Sequence, residues 1–577
     1  MRNTPRSARI AALALVGTLA VAGCTTSGSS GEEPAEGAAA GGTADGTITA
    51  AAEQEFQAYN NGTGDTNGTR NTFVLNQVLR GFWYYGTDGT AVPDTEFGTF
   101  EKTSDDPLTV RYSIADGAVW SDGEAVDCDD LVLTWMSRSG KFRAADGSDL
   151  FNPASTAGYE QMQQPQCADG DKEVTVVYDE PFADWQASFG SLEIMPAHVV
   201  ERVSGVPDLV AAATAADPAA LAPAAEFWNT GWVFNPGDLG DAANIPSNGP
   251  YSLTSWEAGN NVTLTANERY WGTPAKTRNV VVRFIDQEAQ FAALQNNEVQ
   301  VIEPQPNPDL VAQLESLGET VNSESYQGFT YEHFDFNFKG VFADRRVREA
   351  FAKCLPRQLI VDRLIKPQSA EAQLQDSRYT YPFRDNYETI TSAAYGGQYD
   401  TTDIPGAQAL LAQAGAQGTT VRVLYQAPNQ RRTNEVQLLA ESCGQAGFTV
   451  VDAASENAFG TEFPQGNFDV GLFAWSGSAL VTGSAGQWTT EGCGSANYGC
   501  YSNPQVDDLV AQLNRATEPA AQDQLVAQIE KVLWDDLVTI PVFAFPELAA
   551  WSKGVSGVVV NPSQAQITWN MDEWALS

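Results

Sequence analysis

Hydrophobic and polar positions along this chain change period repeatedly, and each change predicts an element. Leu108, Val110, Tyr112 and Ile114 alternate with Thr109, Arg111 and Ser113, the period of two expected of a strand with one buried face. The run 174–178 reads the same way. Leu131–Met136 is an apolar run of helical type, and Asp130 stands before it where a capping carboxylate belongs. Further strands are predicted over 251–256, 262–266, 280–285, 299–302 and 420–425, with a short amphipathic helix over 286–295. Helical spacing covers 345–364 and 507–535. Strands interleaved with helices, with no fixed-period repeat, predict an α/β architecture.

One apolar stretch belongs to a different physics. Ile10 to Ala22 follows Arg2, Arg6 and Arg9, and its 13 residues match the core of a signal peptide and are too few to span a bilayer. Its tail, Leu19 to Gly23 running into Cys24, resembles a bacterial lipobox, which implies cleavage before Cys24 and lipidation of its thiol. Residues 1–23 are thus expected as a lipoprotein signal peptide and 24–49 as a lipidated flexible linker. The linker is mostly Gly, Ala, Ser, Thr and Glu with no aromatic residue, so it cannot bury enough surface to offset its ordering entropy. The chain is expected at the cell membrane, lipid-anchored, on the extracytoplasmic side.

The remaining body of about 530 residues is too long for one small core and predicts at least two lobes. Acidic residues number 73 against 32 Lys and Arg, a formal charge of −41 that excludes a nucleic-acid partner, whose phosphates demand the opposite balance. Six cysteines besides Cys24 allow fifteen pairings in an oxidising compartment. The expected ones are Cys493–Cys500 as a local clip, Cys128–Cys167 and Cys354–Cys443. The only histidines are His198 and His333, and no C-x-x-C spacing occurs, so no metal site is expected. No nucleophile elbow, phosphate-binding loop or zincin motif is present, so no catalytic residue, cofactor or enzymatic activity is expected.

Val119-Trp120-Ser121-Asp122-Gly123-Glu124, followed by Cys128-Asp129-Asp130-Leu131, resembles a segment of the bacterial ABC-transporter extracellular solute-binding proteins of family 5, the oligopeptide-, dipeptide- and nickel-binding group. The resemblance continues in family order through Asn248-Gly249-Pro250-Tyr251, Asn267–Gly272, Leu294–Val299, Asn337, Phe342–Asp344 and Val347–Phe351. It runs on through Ala409–Gly415, Phe468–Val470 with Trp475, Tyr501–Asp507 and Ile540–Val542. It implies a two-lobed periplasmic-binding-protein-like fold with a hinge and an extra subdomain in the larger lobe. Lobe I would comprise 50–285, with the subdomain within about 75–200; lobe II would comprise 286–540, and 541–577 would return to lobe I. The lobes would close over a ligand by hinge motion.

Ligand-binding candidates lie where the family's cleft loops fall: Asn60, Asn61, Trp83, Tyr84, Asn337, Trp475, Ser478 and Trp488. Trp83 and Tyr84 belong to the run Phe82-Trp83-Tyr84-Tyr85, whose four aromatic rings cannot all face one core from a strand, so some must face a cleft. Family members that hold a peptide's amino end carry an aspartate three residues after the tryptophan; here Ser478 takes that place after Trp475. Neither histidine falls in a candidate cleft loop, which argues against the nickel branch. The reading is a lipid-anchored receptor that captures oligopeptides for an ABC importer, with the permease and ATPase subunits as separate partners. The alternative is a regulatory or scaffolding envelope lipoprotein of the same fold, related to glycolipids and without a transport role.

Overall fold

The structure, a computed structural model, describes residues 43–494 and 496–577. The signal segment, Cys24 and the linker up to residue 42 lie outside the described residues. The expected linker end at residue 49 is corrected: Ala44–Ala52 is a strand. Thr47, Ile48 and Thr49 favour extended backbone, Ile48 is fully buried, and the strand pairs in parallel with Thr277–Phe284.

A ten-stranded mixed sheet runs through the molecule. One end carries Tyr251–Glu257, Asn261–Ala266, Thr277–Phe284, Ala44–Ala52 and Val301–Ile302. The other carries Val470–Ser476, Thr420–Leu424 and Thr449–Asp452. Between them lie two long antiparallel strands, Val321–Phe336 and Thr539–Ser552. Their ladder pairs 321–327 with 546–552, shifts register across 328–330, and resumes by pairing 331–335 with 539–544. A Cβ on Gly328 would stand 2.8 Å from Oε1 of Glu547, so a side chain here would have to displace that of Glu547.

The core divides at the same place. Ala51, Leu294, Val299, Leu310, Val321 and Leu548 pack together on one side of the bulge. Phe334, Phe351, Val423, Leu439, Ile540 and Phe543 pack on the other. Val301 pairs with Ala50, and the helices Gln287–Gln295 and Pro308–Ser316 pack with Ala51 rather than with the second core. The strand Thr539–Ser552 passes from the second core to the first near Phe545.

A separate three-stranded antiparallel sheet, Gly98–Asp105, Leu108–Ile114 and Glu173–Val177, accompanies the helix Cys128–Arg138. That helix is capped by Asp127 rather than Asp130. Asp127 accepts from the Asp129 N–H at 3.2 Å, and Asp130 turns back to accept from the Asp127 N–H at 3.2 Å. Asp130 also accepts from Trp120 Nε1 at 3.1 Å and from the Ala197 N–H at 2.8 Å, tying the Trp-Ser-Asp-Gly turn to the next helix. Burial, with Asp127 nearby, raises the Asp130 carboxyl well above its usual range.

All three expected disulfides form, Cys128–Cys167, Cys354–Cys443 and Cys493–Cys500. Cys493 and Cys500 are only seven positions apart, so that clip restrains little unfolded chain. Replacing both by alanine should cost about 2–3 kcal/mol, read as a shift in urea midpoint; no shift at all would show that the clip does not constrain the unfolded state.

Candidate functional site

A cavity of about 660 Å³ opens between residues of the amino-terminal 200, the loop 478–483 and the carboxy-terminal segment 564–573. That volume lies inside the span of about 300–1,000 Å³ usual for ligand clefts. The strand Trp83–Tyr85, paired with Ala91–Pro93, supplies one wall. Phe82 goes into the core, while Trp83, Tyr84 and Tyr85 line the cavity, as four aromatics in succession require. Tyr84 stacks on Trp569 with centroids 5.9 Å apart, and Trp83 meets Tyr85 edge-on at 4.9 Å.

Two buried arginines stand in this wall, each tied to an acid. Arg80 donates from Nε to Asp94 at 2.7 Å and from Nη1 to Gln77 at 2.8 Å, and its guanidinium lies 6.0 Å from the Tyr84 ring. Arg138 stands 3.4 Å from Glu193, whose carboxylate also accepts from the Tyr159 hydroxyl and the Gly190 N–H, each at 2.8 Å. Glu96, Asp184, Asp572 and Glu573 complete the charged lining, so carboxylates outnumber cations. Burial pushes the Asp572 carboxyl up to about 6, against the pull of the Arg80 charge.

The loop after strand Val470–Ser476 reaches this wall from the other core. Asp184 accepts hydrogen bonds from the Thr482 N–H at 2.9 Å, the Thr482 hydroxyl at 2.7 Å and the Val481 N–H at 3.3 Å. Burial raises the Asp184 carboxyl above its ordinary range, and these three donors pull it back. Further bridges between the same two parts are Lys102–Glu518 at 2.8 Å and the Ala183 N–H to Asn514 carbonyl bond at 2.8 Å. Behind the loop lies a recess of about 170 Å³ lined by Tyr331, Arg378, Tyr379, Tyr381, Trp475 and Gln487. Ser478, Leu480, Gly483 and Gln564 line both spaces, so recess and cavity adjoin.

Of the eight candidates, Asn61, Trp83, Tyr84 and Ser478 line the main cavity, and Trp475 and Ser478 line the recess. The other three stand elsewhere. Asn60 donates to the Trp228 carbonyl at 2.8 Å and accepts from the Gly62 N–H at 2.9 Å, which spends its amide on the fold. Asn337 does the same with the carbonyls of Gly466 and Phe468 and the Lys339 N–H. Trp488 is buried in an apolar cluster with Val506, Leu509 and Leu533. Tyr85 belongs to the aromatic run that the sequence singles out, whereas sequence reasoning missed Arg80, Arg138, Glu193, Tyr331 and Arg378. Only the last two had a readable signal, in the aromatic-rich stretch from Arg378 to Phe383 and the alternating strand through Tyr331.

The family model for bacterial extracellular solute-binding proteins, family 5 (middle) matches residues 95–497. An uncharacterized lipoprotein of Mycobacterium tuberculosis (strain ATCC 25618 / H37Rv) is 31% identical over 587 residues, covering 99% of each chain. The oligopeptide-binding protein OppA of the same strain is 23% identical, over 84% of this chain and 78% of its own. Among solved structures, the periplasmic EDTA-binding protein EppA superposes with TM-score 0.80 at 22% identity, over 93% of this chain and 97% of its own. AppA of Bacillus subtilis, in complex with a nonapeptide, gives 0.68 at 17%, over 93% of this chain and all of its own. The fold is that of the two-lobed periplasmic binding proteins. The chain belongs to the bacterial extracellular solute-binding proteins of family 5.

Proposed function

We propose that this chain is the lipid-anchored, extracytoplasmic binding component of an ABC importer and captures oligopeptides between its lobes. The observation that carries the reading is the aromatic-walled cavity of about 660 Å³ closed by a loop from the opposite lobe through Asp184. Lobe I is assigned to 43–327 and 546–577, and lobe II to 328–545, on the division of the cores and the bulge at Gly328. The chain performs no chemistry; separate permease and ATPase subunits move the cargo. Lipidation at Cys24 would hold it at the outer face of the membrane, and the lipoprotein relative supports that anchor. Labelling with a clickable fatty acid should mark the wild type and not Cys24→Ala; equal labelling of both would remove the anchor from the reading.

The test of capture is thermal stabilisation by peptide pools of two to about ten residues, growing with concentration as mass action requires. Asp184→Ala deletes three hydrogen bonds made only when the loop meets lobe I. It should weaken peptide affinity about 10-fold, or roughly 1.4 kcal/mol, and enlarge the radius of gyration of the peptide-bound protein in X-ray scattering. An unchanged affinity and radius would show that the Asp184 contact does not hold the closed state. No response to any peptide, with a clear response to a glycolipid headgroup, would replace the importer reading with the envelope-scaffold one.

A further inference from the structure

The recess behind the loop 477–484 contains buried polar groups that the protein leaves without partners. Tyr331 is 1% exposed, and its hydroxyl makes no hydrogen bond among the described residues. Arg378 is 3% exposed; its Nη1 is held by Glu530 at 2.6 Å and its Nη2 by the Thr539 carbonyl, while Nε–H has no partner. Buried donors are nearly always satisfied, so the orphans beside this one cavity, the Tyr379 hydroxyl among them, point to a partner that arrives with a ligand.

We propose that this recess is a side-chain pocket for a single aromatic ring carrying a neutral hydrogen-bond acceptor at its tip, a phenol above all. The inference rests on reading the cleft as a ligand site. Three features set the guest's chemistry. A cavity of about 150 Å³ admits benzene, and this one measures about 170 Å³. Its walls include the rings of Tyr331, Tyr379, Tyr381 and Trp475 beside Ser476, Ser484 and Gln487, and the Trp475 ring lies near-parallel to His333 and Tyr498, with centroids 6.3 Å from each. Such walls favour a flat, polarisable guest over a branched aliphatic one.

The third feature is charge. Glu530 already neutralises the Arg378 guanidinium at 2.6 Å, so a carboxylate gains no unpaired cation here, and a lysine or arginine would face the guanidinium edge. What remains among the described residues is a donor at Arg378 Nε and hydroxyls at Tyr331 and Tyr379 able to donate or accept, groups that a phenol oxygen can engage. Because recess and main cavity share Ser478, Leu480, Gly483 and Gln564, the ring can enter while the rest of the ligand lies against Trp83 and Tyr84.

The experiment uses p-cresol and toluene as fragment probes and the paired peptides Ala-Ala-Tyr-Ala-Ala and Ala-Ala-Phe-Ala-Ala, on wild type and Tyr331→Phe. Wild type should bind p-cresol at least 5-fold tighter than toluene by ligand-observed NMR, and the tyrosyl peptide at least 5-fold tighter than its partner. In Tyr331→Phe both ratios should fall toward one while the melting temperature does not drop, because the lost hydroxyl had no partner in the protein. A merely structural Tyr331 would give a lower melting temperature with the ratios intact, and that result overturns the proposal. Equal affinities for the paired probes in wild type overturn it as well. Peptides that fail to bind while p-cresol keeps its preference would sink the oligopeptide reading and leave the phenol pocket standing.

Discussion

Glu530→Ala should lower the unfolding free energy by about 3–5 kcal/mol, the usual cost of stranding one member of a buried ion pair. Glu530 is 1% exposed and Arg378 is 3% exposed. One Glu530 carboxylate oxygen accepts from the Ser377 hydroxyl at 2.7 Å and from the N–H groups of Arg378 and Tyr379; the other takes the Arg378 guanidinium. Removing it leaves a buried cation over the Trp534 ring, 4.6 Å away, and strips the Ser377 hydroxyl and the Arg378 N–H of their acceptor in a tight turn, while the Tyr379 N–H keeps its bond to Ser377 at 3.1 Å. Ring contact recovers only a fraction of that loss. The double variant Arg378→Met/Glu530→Met should be less damaging than Glu530→Ala, since removing both charges removes their desolvation cost. Urea unfolding with an unchanged m-value reads both effects. A loss under about 1 kcal/mol for the single variant would mean that water reaches the pair.

The same turn explains why part of the site was illegible in the sequence. Arg378 and Glu530 stand 152 positions apart, and Asp184 meets Thr482 across 298. In a chain with 73 acids, nothing local marks which carboxylate finds which partner. Aromatic runs are different. The strand Trp83–Tyr85 announces itself because alternate residues point to opposite faces, so consecutive rings must serve two environments. Asn60 and Asn337 failed for the converse reason: an amide suits a ligand and a carbonyl-rich loop equally, and here backbone carbonyls claim both.

Secondary structure followed period closely where one face is buried. Leu108–Ile114 and Gln287–Gln295 stand within a residue or so of their expected bounds. Errors fell where proline interrupts a helical pattern. The helix expected over 345–364 stops at Cys354 before Pro356, and the one over 507–535 divides into Pro504–Leu513 and Pro519–Asp536. Apolar spacing continues across each break because the next helix packs on the same core, so periodicity alone reads the two as one. The division between the two cores leaves no mark in the period because it lies inside a single continuous strand, Val321–Phe336, where only a bulge separates them.

Carboxyls beside that bulge also contribute to how stability should respond to pH. Glu303 accepts from the Tyr326 hydroxyl at 2.5 Å and from the Ile567 N–H at 3.1 Å, and burial pushes its carboxyl up to about 7. Burial, with Glu303 nearby, pushes Glu547 up to about 8. The other titratable groups acting there are Tyr326 and Glu324, neither of which supplies positive charge. In the unfolded chain both glutamates release their protons near pH 4.3. Between that value and about 7 to 8 the folded state therefore binds more protons than the unfolded one, so the slope of unfolding free energy with pH is negative. Stability should fall continuously from about pH 5 to pH 8.5, by several kcal/mol, a loss of the order expected for two deeply buried carboxyls. Asp129, pushed up by burial to about 7, adds to the same limb. Asp344 works in the opposite window: hydrogen bonds from Arg346 hold it at about 2, so its contribution is present above its unfolded value and disappears only as pH falls toward 2. Melting curves from pH 5 to 8.5 should thus descend for wild type and descend less steeply in Glu303→Gln/Glu547→Gln, the remaining slope coming from Asp129 and the other raised carboxyls. If the double variant keeps the wild-type slope, the proton uptake lies elsewhere; if wild-type stability rises with pH across this range, both carboxyls are ionised in the folded protein and the bulge buries charge that some unrecognised partner must balance.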